Sequence, residues 1–171
     1  SIEDLAIYRS IPKMTVMHPC DDLSAEELTV QLLGIEGPSY TRTARNKVTR
    51  MYDDESKLDL KIGVGSVLEE GTDVAIFACG VMVEQACNAS STLSEEGINC
   101  TVVDMHTIKP LDTELLSKLA ETCGCFVSAE DHSIIGGLGG ALSEWLTTNK
   151  PIPLEMVGVR DRFGESGDTS D

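Results

Sequence analysis

The chain has 171 residues, of which 41% are hydrophobic and 25% charged, which is room for one full domain, or one domain and part of a second, around an apolar core. Its formal net charge of −16 argues against the basic face that a nucleic-acid binder needs. No apolar run approaches the roughly 20 residues of a membrane helix, so neither nucleic acid nor membrane is an expected partner. Aromatic residues are only 4%, so the core must be built mainly from Val, Ile, Leu, Ala and Met.

Residues 2–9 have a helical look, with Ile2, Leu5 and Ala6 on one face, and Pro12 ends them. Residues 14–18 read as a short strand stopped by Pro19. Asp21 and Ser24 offer caps for a helix over 25–33 that runs up to Gly34. Residues 38–44 read as a strand. Helix, strand, helix, strand is half of a parallel α/β layer.

Residues 46–70 lose this order. They are polar, hold the acidic run Asp53, Asp54, Glu55, and read as an interdomain linker ending in a hairpin-like piece near 62–67. From residue 71 the alternation returns. Strands are expected at 73–79, 100–106, 125–130 and 153–159. Helices are expected at 81–96, from Pro110 and Asp112 to Gly124, and around Leu138, Leu142 and Trp145, which repeat at helical spacing. The fold class is α/β, with a mainly parallel sheet and helices on both faces. Charge divides the chain in the same place, net −4 over residues 1–60 and net −12 over 61–171.

Six cysteines are present, Cys20, Cys79, Cys87, Cys100, Cys123 and Cys125. Most lie in apolar or helical contexts, Cys123 and Cys125 are too close for a zinc pair, and no signal peptide precedes them, so reduced cysteines in a cytoplasmic protein are expected. There is no initiator Met, and the expectation is that a natural N-terminus is missing.

Four cations, Arg42, Arg45, Lys47 and Arg50, fall within nine residues with no acid among them. They follow a strand, where open α/β sheets place ligands, and guanidinium groups bind phosphate bidentately. Two readings stand: a site for an anionic small molecule, or a solvated strand end paired with nearby acids. The turn EDHSIIGGLGG (130–140) lies between a strand and a helix, where exposed N–H groups hold anions. Its spacing fails the dinucleotide fingerprint because Leu142 stands where the last glycine would be. The plainer reading is close helix–sheet packing with Asp131 or Ser133 capping the turn. His132, after two acids, has the composition of an acid–base pair but no adjacent nucleophile, so it reads as a polar turn histidine. His18 and His106 read as structural, and three histidines so far apart do not suggest a metal site.

Taken together, IEDLAIYRSIPKMTVMHPCD (2–21), PSYTRTARNK (38–47), GTDVAIFACGVMV (71–83), DMHTIKPLD (104–112), DHSIIGGLGG (131–140) and DRFGESGD (161–168) resemble the C-terminal part of transketolase, in order and over essentially the whole chain. The style is similar to transketolases split into two polypeptides, and to the C-terminal one of the two. The resemblance implies that residues 1–60 are the second half of a pyrimidine-binding domain and 61–171 the transketolase C-terminal domain.

The resemblance also implies a thiamine-diphosphate-dependent enzyme of the pentose phosphate pathway. Such an enzyme uses a divalent metal, magnesium or calcium, and moves a two-carbon ketol unit from a ketose phosphate to an aldose phosphate. The family's cofactor and metal sites lie in its N-terminal part. A histidine of its GEDG-x-THQ motif falls just before Ser1, so no catalytic, cofactor or metal residue is expected in this chain, which alone would be inactive. One residue carries over: Arg45 in Ala-Arg-Asn-Lys matches the family arginine that grips the sugar phosphate, whereas Arg42 and Lys47 receive no firm role. Implied partners are the N-terminal part or subunit, sugar phosphates, and a homodimer or two-plus-two assembly. Departures are Lys13, where Asn is commoner, and the end of the chain soon after GESGD. The alternative is a non-catalytic assembly or anion-binding regulatory module using the turn at 136–140. 1-Deoxyxylulose-5-phosphate synthase and the 2-oxoacid dehydrogenase beta subunit share the layout but rank below transketolase.

Overall fold

The computed structural model describes residues 1–52 and 59–164. The acidic run Asp53 to Glu55 and the end of the DRFGESGD segment lie outside the described residues. In chain order the elements are α1 (Asp4–Arg9), β1 (Thr15–Met17), α2 (Asp22–Gln31), β2 (Ser39–Thr41), β3 (Ser66–Glu69), β4 (Val74–Ala78) and α3 (Met82–Glu95). They continue as β5 (Cys100–Asp104), β6 (Thr107–Lys109), α4 (Thr113–Thr122), β7 (Cys125–Ser133), α5 (Leu138–Asn149) and β8 (Leu154–Val159).

Local chemistry sets the helix starts. Asp21 caps α2 by accepting from the Ser24 amide at 2.8 Å, while the Ser24 hydroxyl accepts from the Asp21 amide at 3.1 Å, a reciprocal capping box. Asp112 caps α4 by accepting from the Leu115 amide at 2.9 Å.

Two sheets form. The larger has five strands in the order β3-β5-β4-β7-β8, all parallel except β3, which runs antiparallel to β5. Along β4, Ala75 and Phe77 point to the face covered by α4 and α5, and Ile76 and Ala78 to the face covered by α3. Burial on both faces explains why β4 reads as an unbroken apolar run. Phe77 meets Phe126 of β7 with ring centroids 4.7 Å apart.

The smaller sheet has the order β2-β1-β6. β1 and β2 pair in parallel as the helix–strand alternation predicts, but β6 comes from beyond β5 and pairs antiparallel to β1. It falls between the strand expected at 100–106 and the helix expected from Pro110. The end of the expected linker is likewise corrected: residues 66–69 are an edge strand of the large sheet, reached through a bridge between Lys61 and Val64.

One apolar cluster spans both sheets, joining Leu5, Val16 and Ile108 to Phe77, Phe126, Leu116 and Leu142. At the seam the His18 amide donates to the His106 carbonyl at 2.8 Å, and the Gly80 amide donates to the His18 carbonyl at 2.9 Å. Gly80 has φ +56°, and a Cβ there would overlap the buried His18 ring.

Gly80→Ala therefore combines left-handed strain with overpacking, and an expected loss of about 2–4 kcal/mol follows. Gly124→Ala, with nothing within 4 Å of its would-be Cβ, should stay within about 0.5 kcal/mol of the parent. Urea denaturation of the two variants checks the difference.

Candidate functional site

The polypeptide leaving β2 runs as an irregular strap, residues 42–52, from the small sheet across the start of α3. Beneath it lies a cavity of about 1070 Å³, walled by the strap, by His18 and by the beginning of α3 at Gly80, Val81 and Met82. It opens at the carboxyl end of β4. There the chain continues to β5 on one side of β4 and later to β7 on the other, a position at which parallel sheets bind ligands.

The four strap cations divide into two kinds. Arg42 is largely buried and works as a clamp. Its guanidinium donates to the Asp131 carbonyl at 2.5 Å and the Asp131 carboxylate at 3.1 Å, and lies 3.7 Å from the Asp4 carboxylate. Burial alone would raise the Asp4 carboxyl, but the Tyr40 hydroxyl, donating at 2.7 Å, and Arg42 outweigh it and hold it below its ordinary value. Tyr40 is pushed up to about 12, by burial and by Asp4. Arg50 pairs with Asp22 of α2. Arg45 and Lys47 are exposed, line the cavity, and make no hydrogen bond or ion pair with any other described residue. The solvated-strand-end reading thus describes Arg42 and Arg50, and the ligand reading remains open for Arg45 and Lys47.

The rest of the lining includes two acids already engaged, Glu84 by Thr49 and Asp131 by Arg42, and a neutral histidine. His18 is 1% exposed, its Nδ1 has no hydrogen-bond partner among the described residues, and burial drives its pKa down to about 3, so it is neutral at ordinary pH. His106, also buried, is lowered to about 4 for the same reason.

The glycine-rich turn follows its plainer reading and adds a cap that was not expected. Ser133 caps the turn, its hydroxyl accepting from the Ile135 amide at 3.2 Å, and α5 packs so closely on the sheet that a Cβ at Gly139 would overlap Met156 and Ser128, but the start of α5 itself is capped by Glu130. The Leu138 amide donates to Oε2 at 2.7 Å and the Gly139 amide to Oε1 at 2.8 Å. A Cβ at Gly137 would overlap that carboxylate. The chain's own Glu130 thus occupies the anion position of this turn. His132 is not a turn histidine but a fully buried residue of β7. Its Nδ1 lies 2.6 Å from the Ser133 carbonyl and 3.5 Å from Glu130, and Nε2 accepts from the Ala6 amide at 3.4 Å. The pair that resembled acid–base machinery is spent on backbone groups.

A second cluster went unread in the sequence. Asp104, at the end of β5, is fully buried. Its Oδ2 accepts from the Tyr52 hydroxyl at 2.8 Å and from the Cys20 thiol at 3.3 Å, while Oδ1 has no partner among the described residues. Burial raises its pKa to about 7, against the lowering effect of the two donors and with Asp21 adding to the rise. Asp104 closes a buried-strand run, a place where a carboxylate is out of character, and that is the signal available in the sequence. The six cysteines are free, and burial pushes the Cys20, Cys79, Cys87 and Cys100 thiols up, so they are protonated. Among the described residues no three His, Cys, Asp or Glu side chains stand together as a metal site, and no helix is long and apolar enough to cross a membrane.

Fold and strap together define a recognised class of protein. Residues 63–171 match the family described as transketolase, C-terminal domain, and the chain belongs to that family. It is 43% identical, over 98% of its length and 51% of the relative's, to the 6-deoxy-6-sulfo-D-fructose transketolase subunit SqwH of Clostridium sp. (strain MSTE9). It is 36% identical, over 94% of its length and 51% of the relative's, to one of the apulose-4-phosphate transketolase polypeptides of Phocaeicola vulgatus. A solved structure described as a split gene transketolase, inactive beta4 tetramer, superposes with a TM-score of 0.90 at 43% identity, covering 94% of this chain and 53% of that one. The chain thus resembles the C-terminal polypeptide of split transketolases and spans about half the length of the relatives it matches.

The Asp104 carboxyl has a higher pKa folded than unfolded, so the folded state holds the extra proton between the two values. Stability from this group is complete below about pH 4 and is lost as pH rises to about 7, by on the order of 4 kcal/mol at most. Asp104→Asn should flatten that decline and be relatively more stable at pH 8 than at pH 5. Urea titrations of both proteins at the two pH values check this.

Proposed function

We propose that this chain is the C-terminal part of a thiamine-diphosphate-dependent transketolase that moves a ketol unit from a ketose phosphate to an aldose phosphate, and that Arg45 holds the sugar phosphate. Residues 1–60 then form the second half of a pyrimidine-binding domain and 61–171 the C-terminal domain. The observation that carries the reading is Arg45 itself, a cavity-lining guanidinium with no acidic partner among the described residues, in a chain of net charge −16. An unneutralised arginine is a planar fork of donors suited to two phosphate oxygens. Lys47, two residues on, adds a point charge to the same wall, and the neutral His18 opposite adds none.

In the assembled enzyme thiamine diphosphate, with magnesium or calcium, supplies the carbanion chemistry, and its binding residues belong to the N-terminal part. Named relatives that are transketolase subunits favour such a partner, and the reading extends to a homodimer or a two-plus-two assembly in the cytoplasm. Their names concern a sulfofructose and apulose 4-phosphate, so the pentose phosphate pathway is one of several settings for the substrate. The assembly or anion-binding module loses its main support, because Glu130 already fills the glycine-rich turn.

The test is ketol transfer with thiamine diphosphate and magnesium, by the chain alone and together with the N-terminal part of a transketolase relative. Activity is expected only in the combination, and activity of the chain alone overturns the assignment of the cofactor site. In the active combination Arg45→Ala should raise KM for the phosphorylated sugar about 10- to 100-fold, the loss of a charged hydrogen-bonding pair worth about 1.5–3 kcal/mol. An unchanged KM removes Arg45 from the site.

A further inference from the structure

The strap that carries Arg45 is held at both ends and in its middle, and each anchor is a carboxylate. At the β2 end, Arg42 spans Asp4 and Asp131. In the middle, the Thr49 hydroxyl donates to Glu84 in the first turn of α3 at 2.7 Å. At the far end Asp21 Oδ2 accepts from the amides of Met51 at 2.8 Å and Tyr52 at 3.1 Å, and Asp104 accepts from the Tyr52 hydroxyl. Between these anchors Arg45, Asn46 and Lys47 are exposed, and Arg45 and Lys47 have no side-chain partner among the described residues.

The far anchor has the most unusual chemistry. Asp104 is fully buried, and the groups that face it are Tyr52 from the strap, Cys20 and Asp21 from the turn before α2, and Cys79 and Cys87 at and beyond the end of β4. No cation is among them. A carboxylate buried without a cation costs stability and contributes little to the apolar packing around it. What it does supply is a fixed acceptor, at the end of a central strand of the large sheet, for a hydroxyl on the strap. Tyr52 also packs against the apolar clusters of both neighbours, so its ring is held while its hydroxyl sets the strap's position along the sheet.

We propose that Asp104 and Tyr52 are positioning residues for Arg45: their hydrogen bond ties the phosphate-binding strap to the large sheet and holds the guanidinium over the cavity. This rests on the reading of Arg45 as the sugar-phosphate ligand. Neither residue touches substrate. They act by removing the freedom of the strap, so that Arg45 meets a phosphate without first being ordered.

The experiment uses the active assembly and compares D-ribose 5-phosphate with unphosphorylated D-ribose, by titration calorimetry for Kd and by ketol transfer for KM and kcat. Tyr52→Phe keeps the ring and deletes the hydroxyl. It should weaken ribose 5-phosphate binding and raise its KM about 3- to 10-fold, leaving kcat and the response to ribose unchanged. In the Arg45→Ala background the same change should have no further effect, since the strap then has no guanidinium to position. Asp104→Asn keeps an acceptor oxygen and should retain parental affinity, whereas Asp104→Leu should behave as Tyr52→Phe.

Loss of affinity for both sugars alike, additivity with Arg45→Ala, or parental KM in Tyr52→Phe each overturn the positioning role. If a variant at Tyr52 does not fold, Asp104→Asn decides the matter: an affinity loss in it, with folding intact, overturns the acceptor role. Should Arg45→Ala itself leave ribose 5-phosphate binding unchanged, it is the assignment of Arg45 that fails, and the two failures are thereby distinct.

Discussion

The placement of the strap depends on one backbone seam. His18 ends β1, and its amide and carbonyl are both used at once, the first by His106 after β5 and the second by Gly80 after β4. Two strands of the large sheet are thus joined through one residue of the small sheet. The imidazole then packs so close to Gly80 that any side chain there would overlap it. Buried and uncharged, His18 serves as a rigid spacer. With the separation of the sheets fixed at this point, the segment that leaves β2 has only one way across, over the first turn of α3. The cavity under the strap follows from that crossing.

Acidic side chains take on most of the internal polar work in this protein. Asp21 caps α2 and also accepts two strap amides. Asp112 caps α4 and takes the Gly65 amide, and Glu130 takes two amides at the start of α5. Each use satisfies backbone donors that would otherwise be buried unpaired. Among the described residues four acids, Asp4, Asp21, Asp104 and Glu130, are buried. Against this background the arginines are informative by contrast. Arg9 is bound to Glu144 and the Gly136 carbonyl, and Arg42 and Arg50 are paired. Among the described residues, Arg45 and Lys47 are left facing the cavity without an acid.

Much of the fold was legible because the signals were local. The capping box of Asp21 and Ser24 and the cap of Asp112 involve side chains that bond their own neighbours, and sequence spacing contains that information. The strands of the large sheet announced themselves as apolar runs bounded by glycine and proline. What stayed hidden was long-range. β6 is three residues whose only reason to be extended is β1, far earlier in the chain. Glu130 caps a helix that starts eight residues later, across a turn that Ser133 caps locally, and no local spacing marks the longer reach. His132 reads as polar and turns out fully buried, because the strand continues past Glu130 to Ser133. At the candidate site composition marked the four cations as a group, but only geometry separates Arg42, a clamp, from Arg45, three residues away and without a partner among the described residues. Asp104 was unread because its partners, Cys20 and Tyr52, come from two different parts of the chain.

The strap also bears on how such an enzyme divides into two polypeptides. A cavity of about 1070 Å³ lined by the exposed Arg45 and Lys47, with its acids Glu84 and Asp131 engaged by Thr49 and Arg42, is suited to one end of a ligand, the anionic end. If Arg45 holds the phosphate, this half of the site measures the length of the sugar and the other half performs the chemistry. Binding energy gained at a remote phosphate then lowers the barrier only if the two halves are held in register to within a fraction of an ångström. Exposed cations on a free segment would lose that register to thermal motion. Five carboxylates at three anchor points, Asp4 and Asp131, Glu84, and Asp21 and Asp104, would keep it, and that is a reason for this protein to bury Asp4, Asp21 and Asp104 around a single strap.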